Sequence, residues 1–266
     1  MKIRFLNFIE ISIIIVVILF FNIDLVLGVK PMGANYTHIN TSTAPEETPQ
    51  SIAAQAGNVT EINIKGFTVT QSWQGYFGNV SGTIYLADSG DNSMYNWSLA
   101  SPEGEVYAST NDSIKWSSIH CFNFTATGDY SDDSSNTGNM SLYGTNLSQL
   151  ESSFNIDSDD VDGVNETFNL IGTDTHDGFF TANLEFEEGE CYNTRIFSDA
   201  GKGETNKFEE VLLYDSQTRS VVFASILEQD VFGFDSRSHD FEMLVLEDGH
   251  GTDVSTTPYY FYVELQ

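Results

Sequence analysis

The chain has 266 residues, of which 39 are acidic and 10 are basic, so its formal net charge is −29 at pH 7. A chain this acidic repels nucleic acid and anionic lipid, because binding to phosphate groups requires lysine and arginine to neutralise them. The composition therefore excludes a nucleic-acid-binding role. It favours a solvated acidic surface that attracts divalent cations.

The N-terminus carries the pattern of an export signal. Lys2 and Arg4 precede an apolar core of eleven residues from Ile11 to Phe21. That length is typical of a signal peptide and too short to span about 30 Å of hydrocarbon. Small or apolar residues up to Gly28 predict cleavage there, so that residues 1–28 form a signal peptide. The alternative is an uncleaved helical membrane anchor. Both interpretations predict an extracellular or cell-surface protein.

Residues 29–57 differ from the rest of the chain in composition. They contain Pro31, Pro45 and Pro49 among many Thr, Ser and Ala residues, and they show no sustained apolar periodicity. Such a composition predicts a linker or stalk between the leader and a folded domain. The folded domain is then expected to occupy residues 58–266.

Asn-x-Ser/Thr sequons for N-glycosylation are concentrated in one half of the exported chain. Ten occur between residues 35 and 165, and none begins after residue 165. The composition of that stretch would give roughly four by chance. The acceptors are Asn35, Asn40, Asn58, Asn79, Asn96, Asn111, Asn123, Asn139, Asn146 and Asn165. This excess predicts a secreted glycoprotein whose glycans crowd one region of the surface.

Cys121 and Cys191 are the only cysteines in the chain. In an exported protein of this size, two cysteines most simply form one disulfide bond, here closing a loop of 70 residues. A zinc site is disfavoured because no histidines accompany the thiols at the required spacing. A bond between these cysteines would join the sequon-rich half of the chain to the sequon-free half.

The folded domain is predicted to be all-β. Short apolar runs alternate with clusters of Gly, Asn, Asp and Ser, which is typical of an antiparallel β-sandwich. The candidate strands are Phe67–Trp73, Thr83–Ala87, Tyr95–Leu99, Glu105–Ala108, Ile114–Ile119, Thr167–Ile171, Phe179–Phe186, Tyr192–Phe197, Phe208–Tyr214, Ser220–Leu227, Phe241–Leu246 and Tyr259–Leu265. Helical spacing is confined to Leu147–Phe154, within a polar loop insertion expected near 127–162.

Two patterns predict which side chains enter the core. In seven sequons, the residue between Asn and Ser/Thr is apolar, as Trp97 is in Asn96-Trp97-Ser98. In a strand, this middle residue would face the core while its neighbours face solvent. The runs Phe208–Tyr214 and Ser220–Leu227 are almost continuously apolar, and Asp215 favours a turn between them. We expect this hairpin at the centre of the sandwich.

A cluster of aspartates is the one ligand-binding candidate that the sequence supports. The cluster comprises Asp157, Asp159, Asp160 and Asp162. Carboxylate oxygens are the ligands that Ca²⁺ prefers, so these residues form a candidate calcium site. In EF-hand spacing, however, position one would be Ser158 and position twelve Asn169, so two key carboxylates are missing. The competing interpretation is a solvated acidic loop, and no other cofactor is predicted.

The sequence supports no catalytic activity. It contains no zinc-protease motif, nucleophile elbow or phosphate-binding loop. A secreted hydrolase therefore ranks third among our function hypotheses.

A carbohydrate-binding module ranks second. Trp73, Tyr76 and Phe77 lie among glycines, and aromatic rings can stack on sugars. The competing interpretation of these three rings is core packing.

The chain resembles uncharacterised archaeal exported proteins over roughly residues 57–266. The motifs that carry this resemblance are Trp73–Gly82, Trp116 with Cys121, Phe208–Leu213, His239–Phe241 and the Tyr-Tyr-Phe-Tyr-Val ending. The combination of leader, stalk, dense sequons and acidic β domain is similar to archaeal cell-surface glycoproteins, but the resemblance implies no activity. We therefore predict a non-catalytic envelope protein with a surface-structural or adhesive role. Its expected partners are other surface proteins or glycans, with membrane contact only through an uncleaved leader.

Overall fold

The computed structural model describes residues 30–124, 147–196, 208–251 and 254–266. The predicted leader, residues 125–146 of the polar insertion, and the sequons at Asn139 and Asn146 lie outside these ranges. Within the ranges the chain is mainly antiparallel β-strand with two short α-helices, which confirms the predicted all-β class. None of the helices in this part of the chain is long and apolar enough to span a bilayer.

The described ranges contain fifteen strands. They are β1 (Met32–Gly33), β2 (Trp73–Gly78), β3 (Gly82–Ala87), β4 (Ser93–Leu99), β5 (Gly104–Ser109), β6 (Ile119–Cys121), β7 (Phe179–Thr181), β8 (Leu184–Phe186), β9 (Asn193–Arg195), β10 (Glu209–Asp215), β11 (Ser220–Ile226), β12 (Val231–Phe232), β13 (Ser238–His239), β14 (Phe241–Leu246) and β15 (Tyr260–Leu265). The helices are α1 (Leu147–Ser153) and α2 (Val164–Thr167), and a 3₁₀ turn spans Trp116–Ser118.

A central sheet of seven strands organises the described part of the domain. The strand order is β1-β15-β5-β11-β10-β6, and β9 also pairs with β10. The strands β6 and β9 lie end to end along the same edge of β10, where Cys121 is opposite Leu213 and Asn193 is opposite Val211. A disulfide bond joins Cys121 at the end of β6 to Cys191, two residues before β9, with the two Cα atoms 5.1 Å apart. The predicted cysteine pairing is confirmed.

Both faces of the central sheet are covered, which explains the nearly continuous apolar character of β10 and β11. On one face, Leu212 and Phe223 pack with residues of β14 and the two helices. On the other face, Val211 and Val222 pack with Trp116 and with the hairpin β7–β8. Strands that are buried on both faces lack the alternation of half-exposed strands. The hairpin β10–β11 is therefore buried at the centre of the core.

The pair β2–β14 lies over the first of these faces, and side chains from the central sheet close the outer edge of β14. Ser225 Oγ donates to the carbonyl of Glu242 at 2.9 Å, and the Leu244 N–H donates to Glu210 Oε2 at 2.8 Å. The hydroxyl of Tyr259 donates to the carbonyl of Leu246 at 2.8 Å. Alternate residues of an edge strand direct their main-chain groups outward, and these three bonds satisfy one such group each at Glu242, Leu244 and Leu246.

Four of the predicted strands are wrong. Phe179–Phe186 is not one strand but the hairpin β7–β8, divided by a turn at Ala182 with φ 56°. Strand β2 begins at Trp73, where the predicted strand from Phe67 ends. The predicted strand Ile114–Ile119 instead contains the 3₁₀ turn Trp116–Ser118, because the buried Asp215 carboxylate accepts hydrogen bonds from the Lys115 N–H and the Ser118 hydroxyl and holds the segment curved. Thr167–Ile171 follows the end of α2 and makes only an isolated bridge at Leu170. The helical pattern from Leu147 is confirmed as α1.

Candidate interaction surface

The strands β3 and β4 form a hairpin, here called the ribbon, that pairs with no other strand of the described residues. Its turn is closed by Asp88, whose carboxylate accepts hydrogen bonds from the N–H groups of Gly90 and Asn92 at 2.9 Å. Asp91 occupies the left-handed region at φ 62°, which Asn and Asp tolerate better than most residues. The turn therefore follows from local sequence alone.

The register of the ribbon gives it one apolar and one polar face. Ile84 is opposite Trp97, and Leu86 is opposite Tyr95. Directly opposite residues share a face, so these four side chains form one continuous apolar surface. The alternate pairs place Thr83 opposite Ser98 and Tyr85 opposite Asn96 on the other face. The Asn96 side chain therefore lies on the face opposite the apolar one.

The apolar face of the ribbon is exposed to solvent. The exposed fraction of Trp97 is 50%, so its predicted location in the core is wrong, although Asn96 and Ser98 do share the opposite face as the sequon pattern predicted. Ile84, Leu86 and Tyr95 are exposed as well. A two-stranded hairpin is marginally stable without a partner, and exposed apolar patches of this kind mark interaction sites.

The base of the ribbon is packed on the domain at Gly82. A Cβ atom at this position would lie 2.1 Å from the Leu265 side chain at the end of β15 and 3.3 Å from Leu99. Glycine therefore permits the close approach that fixes where the ribbon leaves the domain. The ribbon thus begins from a defined point on the body of the domain.

The segment that precedes β2, residues 35–71, is exposed along its whole length and contains no helix or strand in this fully described stretch. We call it the open segment. Its C-terminal end is fixed to the domain, because the Gly249 N–H donates to the carbonyl of Gln71 at 2.8 Å and the Thr70 hydroxyl donates to Asp162 at 2.5 Å. Among its exposed side chains are Ile62, Ile64, Phe67 and Val69.

The described sequons differ in how accessible their asparagines are. Asn35, Asn40, Asn58, Asn79, Asn96 and Asn165 are exposed. Asn111 is half-buried: its Nδ2 donates to Ser220 Oγ at 2.9 Å, and its Oδ1 accepts from the Ser113 N–H at 2.8 Å. These bonds hold the Asn111 amide against the central sheet, so it is less available than the six exposed acceptors. Asn123 is half-buried as well.

The three aromatic residues proposed to stack on sugars are separated by the fold. Trp73 packs at a ring distance of 5.9 Å from Phe168, and its Nε1 donates to the Asp162 carbonyl. Tyr76 packs edge-on against Phe261 at 5.0 Å. These two rings belong to the margin of the core. Of the three, Phe77 alone is exposed.

Phe77 belongs to a second exposed cluster that involves the hairpin β12–β13. Its ring lies 4.9 Å from Phe234, edge to face, and 4.8 Å from the ring of His239. The guanidinium of Arg237 lies 6.0 Å from the centre of the Phe77 ring. Asp235 links the cluster by accepting from Arg237 Nε at 2.6 Å and by lying 2.8 Å from His239 Nε2. The cluster thus places aromatic rings next to polar side chains.

Three of the four aspartates of the calcium candidate take part in structural hydrogen bonds. The Asp157 N–H donates to the Asp160 carboxylate at 2.8 Å, which closes a local turn. The side chain and carbonyl of Asp162 instead accept bonds from Thr70 and Trp73, next to the end of the open segment. In the described part of the chain, no group of three or more His, Cys, Asp or Glu side chains is placed to hold a metal ion.

The sequence analysis missed a pair of buried carboxyls on the central sheet. Glu105 and Glu264 are directly opposite each other on β5 and β15, and both are buried. Burial and the adjacent Glu264 carboxyl raise the pKa of Glu105 to about 8. Burial also raises the pKa of Glu264. At neutral pH the pair therefore retains a proton, since two adjacent buried carboxylates would repel each other.

These carboxyls are covered by the hairpin β7–β8. The N–H of Ala182 donates to Glu264 Oε2 at 2.9 Å. The hydroxyl of Tyr107 lies 3.4 Å from Glu105 Oε2 and 3.1 Å from Thr181 Oγ1. The geometry serves to attach the hairpin to the sheet rather than to receive a substrate, because both acids are almost inaccessible to solvent.

A further buried acid, Glu209, lies on the same face of the sheet. It accepts from the Asp177 N–H at 2.6 Å and lies 3.6 Å from Arg195 Nε. The nearby Glu228 has a pKa raised to about 7 by burial and by the charges of Glu209 and Asp177. The sequence offered one signal for these buried acids, namely an acid at an otherwise apolar strand position. Glu105 in Gly-Glu-Val-Tyr-Ala-Ser is an example.

Comparison of the chain with protein-family models, curated proteins and solved structures found no match. The candidate surface is therefore defined by the geometry alone. It consists of the apolar face of the ribbon and residues 62–70 at the C-terminal end of the open segment.

Proposed function

We propose that this chain is an exported, non-catalytic envelope protein with a surface-structural or adhesive role, built around a β-sandwich. The observation that carries the proposal is the exposed apolar face of the ribbon, formed by Ile84, Leu86, Tyr95 and Trp97. An apolar face on an isolated hairpin is stabilised when a partner covers it. The expected partners are other surface proteins or glycans.

Charge supports the ribbon as the contact surface. The chain has a net charge of −29, yet the strands β3 and β4 contain no charged residue. Two acidic surfaces repel each other on approach, whereas an uncharged face avoids this cost. The Asn96 acceptor lies on the opposite face of the ribbon, so its glycan leaves the apolar face free.

Export is supported by independent features. The ten sequons and the N-terminal apolar leader are typical of secreted or surface-anchored proteins. The disulfide bond between Cys121 and Cys191 favours an oxidising compartment. In this proposal the chain reaches the cell surface, and any contact with the membrane is confined to an uncleaved leader.

The proposal is tested by cross-linking intact cells of the native host. We expect the wild-type chain in covalent complexes with other surface molecules, and we expect Ile84→Asp to reduce the complexed fraction several-fold. Ile39→Asp is the matched control, because Ile39 is also exposed but lies far from the ribbon in sequence. Equal complex formation by Ile84→Asp and the wild type would refute the role of the ribbon.

Carbohydrate binding is a second candidate function, favoured by the cluster around Phe77. The exposed fractions of Phe77 and Phe234 are 43% and 55%, and the polar groups of Asp235, Arg237 and His239 lie beside them. Sugars are bound by exposed aromatic rings combined with neighbouring hydrogen-bonding groups.

Titration calorimetry with polysaccharides of the host envelope tests this second function. Phe234→Ala should weaken binding at least tenfold if the cluster stacks on a sugar ring. Phe180→Ala, which removes a ring of 43% exposure on β7, should leave binding unchanged. Unaltered binding by Phe234→Ala, or no heat of binding with any envelope polysaccharide, would rule this function out.

A further inference from the structure

We propose that residues 62–70 of the open segment, here called the donor segment, add as a β-strand to the ribbon of a second copy of this chain. The inference rests on the proposed surface role and names the partner of the ribbon. In this arrangement the donor segment covers part of the apolar face and pairs with a free edge of β3 or β4. Strand addition of this kind uses main-chain hydrogen bonds for affinity and side-chain fit for specificity.

The donor segment has the residue pattern of a half-buried strand without being one within the copy that carries it. Ile62 and Ile64 alternate with polar residues, and Phe67 and Val69 do the same after Gly66. The change of phase falls at Lys65-Gly66, where glycine suits a β-bulge that would return all four apolar side chains to one face. All four are exposed, and this described stretch contains no helix or strand.

The ribbon offers a matching acceptor. Its strands β3 and β4 are six and seven residues long, and each pairs only with the other among the described strands. The pair β2–β14 contrasts with it, because Ser225, Glu210 and Tyr259 bond the outer edge of β14. Within the described residues, side chains of the domain thus bond the outer edge of β14, whereas no strand pairs with the edges of the ribbon, as strand addition requires.

The electrostatic conditions also favour this pairing. Between residue 62 and Trp73 the only charged residue is Lys65, and the paired strands of the ribbon have none. In a chain of net charge −29, these neutral or slightly positive stretches are where two copies can approach without strong repulsion. The acceptor Asn58 precedes the donor segment, and Asn96 lies on the polar face of the ribbon. Neither glycan obstructs the pairing.

Donor and acceptor leave opposite ends of the same strand. The donor segment enters β2 at Trp73, and the ribbon follows the other end of β2 after Gly78. A strand of six residues is about 17 Å long between its ends. Contacts between two different patches of one chain are heterologous, so copies join head to tail, in an open series or, where the rotation between copies closes, in a ring. The expected assembly therefore grows beyond an isologous dimer.

Two variants of the full secreted chain and a mixing experiment test the inference. Sedimentation across a concentration series should show wild-type oligomers that grow with concentration. Ile64→Asp and Ile84→Asp should each weaken self-association at least tenfold, while Ile39→Asp should assemble like the wild type. A mixture of the two defective variants should form dimers and nothing larger, because one copy then supplies an intact ribbon and the other an intact donor segment.

Two results would overturn the inference. If Ile64→Asp assembles like the wild type while Ile84→Asp does not, the contact is between two ribbons, and the proposed surface role stands without the donor segment. If the wild type is monomeric at every concentration, the partner is not a second copy, whatever the cross-linking of intact cells shows. Thermal melting serves as the folding control, because all three substituted side chains are exposed.

Discussion

The central sheet and the ribbon are both antiparallel and rich in β-branched and aromatic residues, but they differ in burial. In β10 every residue is buried, whereas in the ribbon most residues of β3 and all but one residue of β4 are exposed. The sheet is covered on both faces by other parts of the same chain. The ribbon has no such cover among the described residues. Strand-forming residues therefore specify an extended backbone without specifying what covers it.

The distribution of charge separates the two regions further. The sheet holds Glu105, Glu264 and Glu210 in its interior, although an uncompensated carboxylate is costly to bury. The ribbon strands hold no charge at all. Acids within the sheet bond the hairpin β7–β8 and the edge of β14, and so serve internal attachment. These uncharged strands can approach another acidic surface without charge repulsion.

Removal of the disulfide bond should give the largest loss of stability in the core region. Cys121→Ser with Cys191→Ser opens a loop of 70 residues, which is expected to lower the free energy of unfolding by about 4 kcal/mol. Urea denaturation measures this change. Tryptic cleavage at Lys65 in the open segment should be equally fast with and without the bond. A loss below about 1 kcal/mol would mean that β6 and β9 are held in place without the bond.

A matched pair of leucine substitutions compares the two regions directly. Leu212→Ala removes a fully buried side chain and should cost about 3 kcal/mol, because it leaves a cavity in the core. Leu86→Ala in the exposed ribbon should change the stability of the monomer by no more than about 0.5 kcal/mol. Both values come from urea denaturation at a concentration where the chain is monomeric. Equal costs would show that the ribbon is packed against the domain in solution.

The buried acids predict that stability falls as pH rises. The pKa of Glu105 is raised from 4.5 to about 8, so between these values the folded chain binds more protons than the unfolded chain. The free energy of unfolding therefore decreases through this window, by at most about 1.4 kcal/mol per pH unit for one group. Stability should be greater at pH 5 than at pH 8.

Glu105→Gln tests the source of this pH dependence. The amide keeps the shape of the protonated acid, so the variant should be more stable than the wild type at pH 8 and similar to it at pH 5. Glu185→Gln, at an exposed position on β8, should leave the pH profile unchanged. A wild-type profile that rises from pH 5 to pH 8 would contradict the buried protonated state.

The smallest expected effect concerns glycan occupancy. In material from the native host, Asn96 on the ribbon should be occupied several-fold more often than Asn111, because the Asn111 side chain is bonded to Ser220 and Ser113. Glycopeptide mass spectrometry measures both sites in one sample. Full occupancy at Asn111 would show that its bonds to the sheet form only after glycan transfer or open readily.

Local sequence accounts for much of the fold. Alternating and continuous apolar runs identified β3, β4, β5, β10, β11, β14 and β15, because strand formation depends on residue type and spacing. The very short strands β1, β12 and β13 were missed. Two or three residues carry no period, and partners remote in sequence, such as Val263 for Met32, define the pairing.

The sequence by itself determined the all-β class, the disulfide pairing, the amphipathic pattern of the ribbon and the acidic charge, since each depends on residue identity or spacing. The tertiary structure alone decided burial. It placed Trp73 against Phe168 and left Trp97 exposed, although both lie in similar aromatic runs. It also buried Glu105 beside Glu264, because strands distant in sequence meet in the central sheet. The alternation of residue types along a strand defines which side chains share a face. Only the packing of distant segments defines which faces are covered.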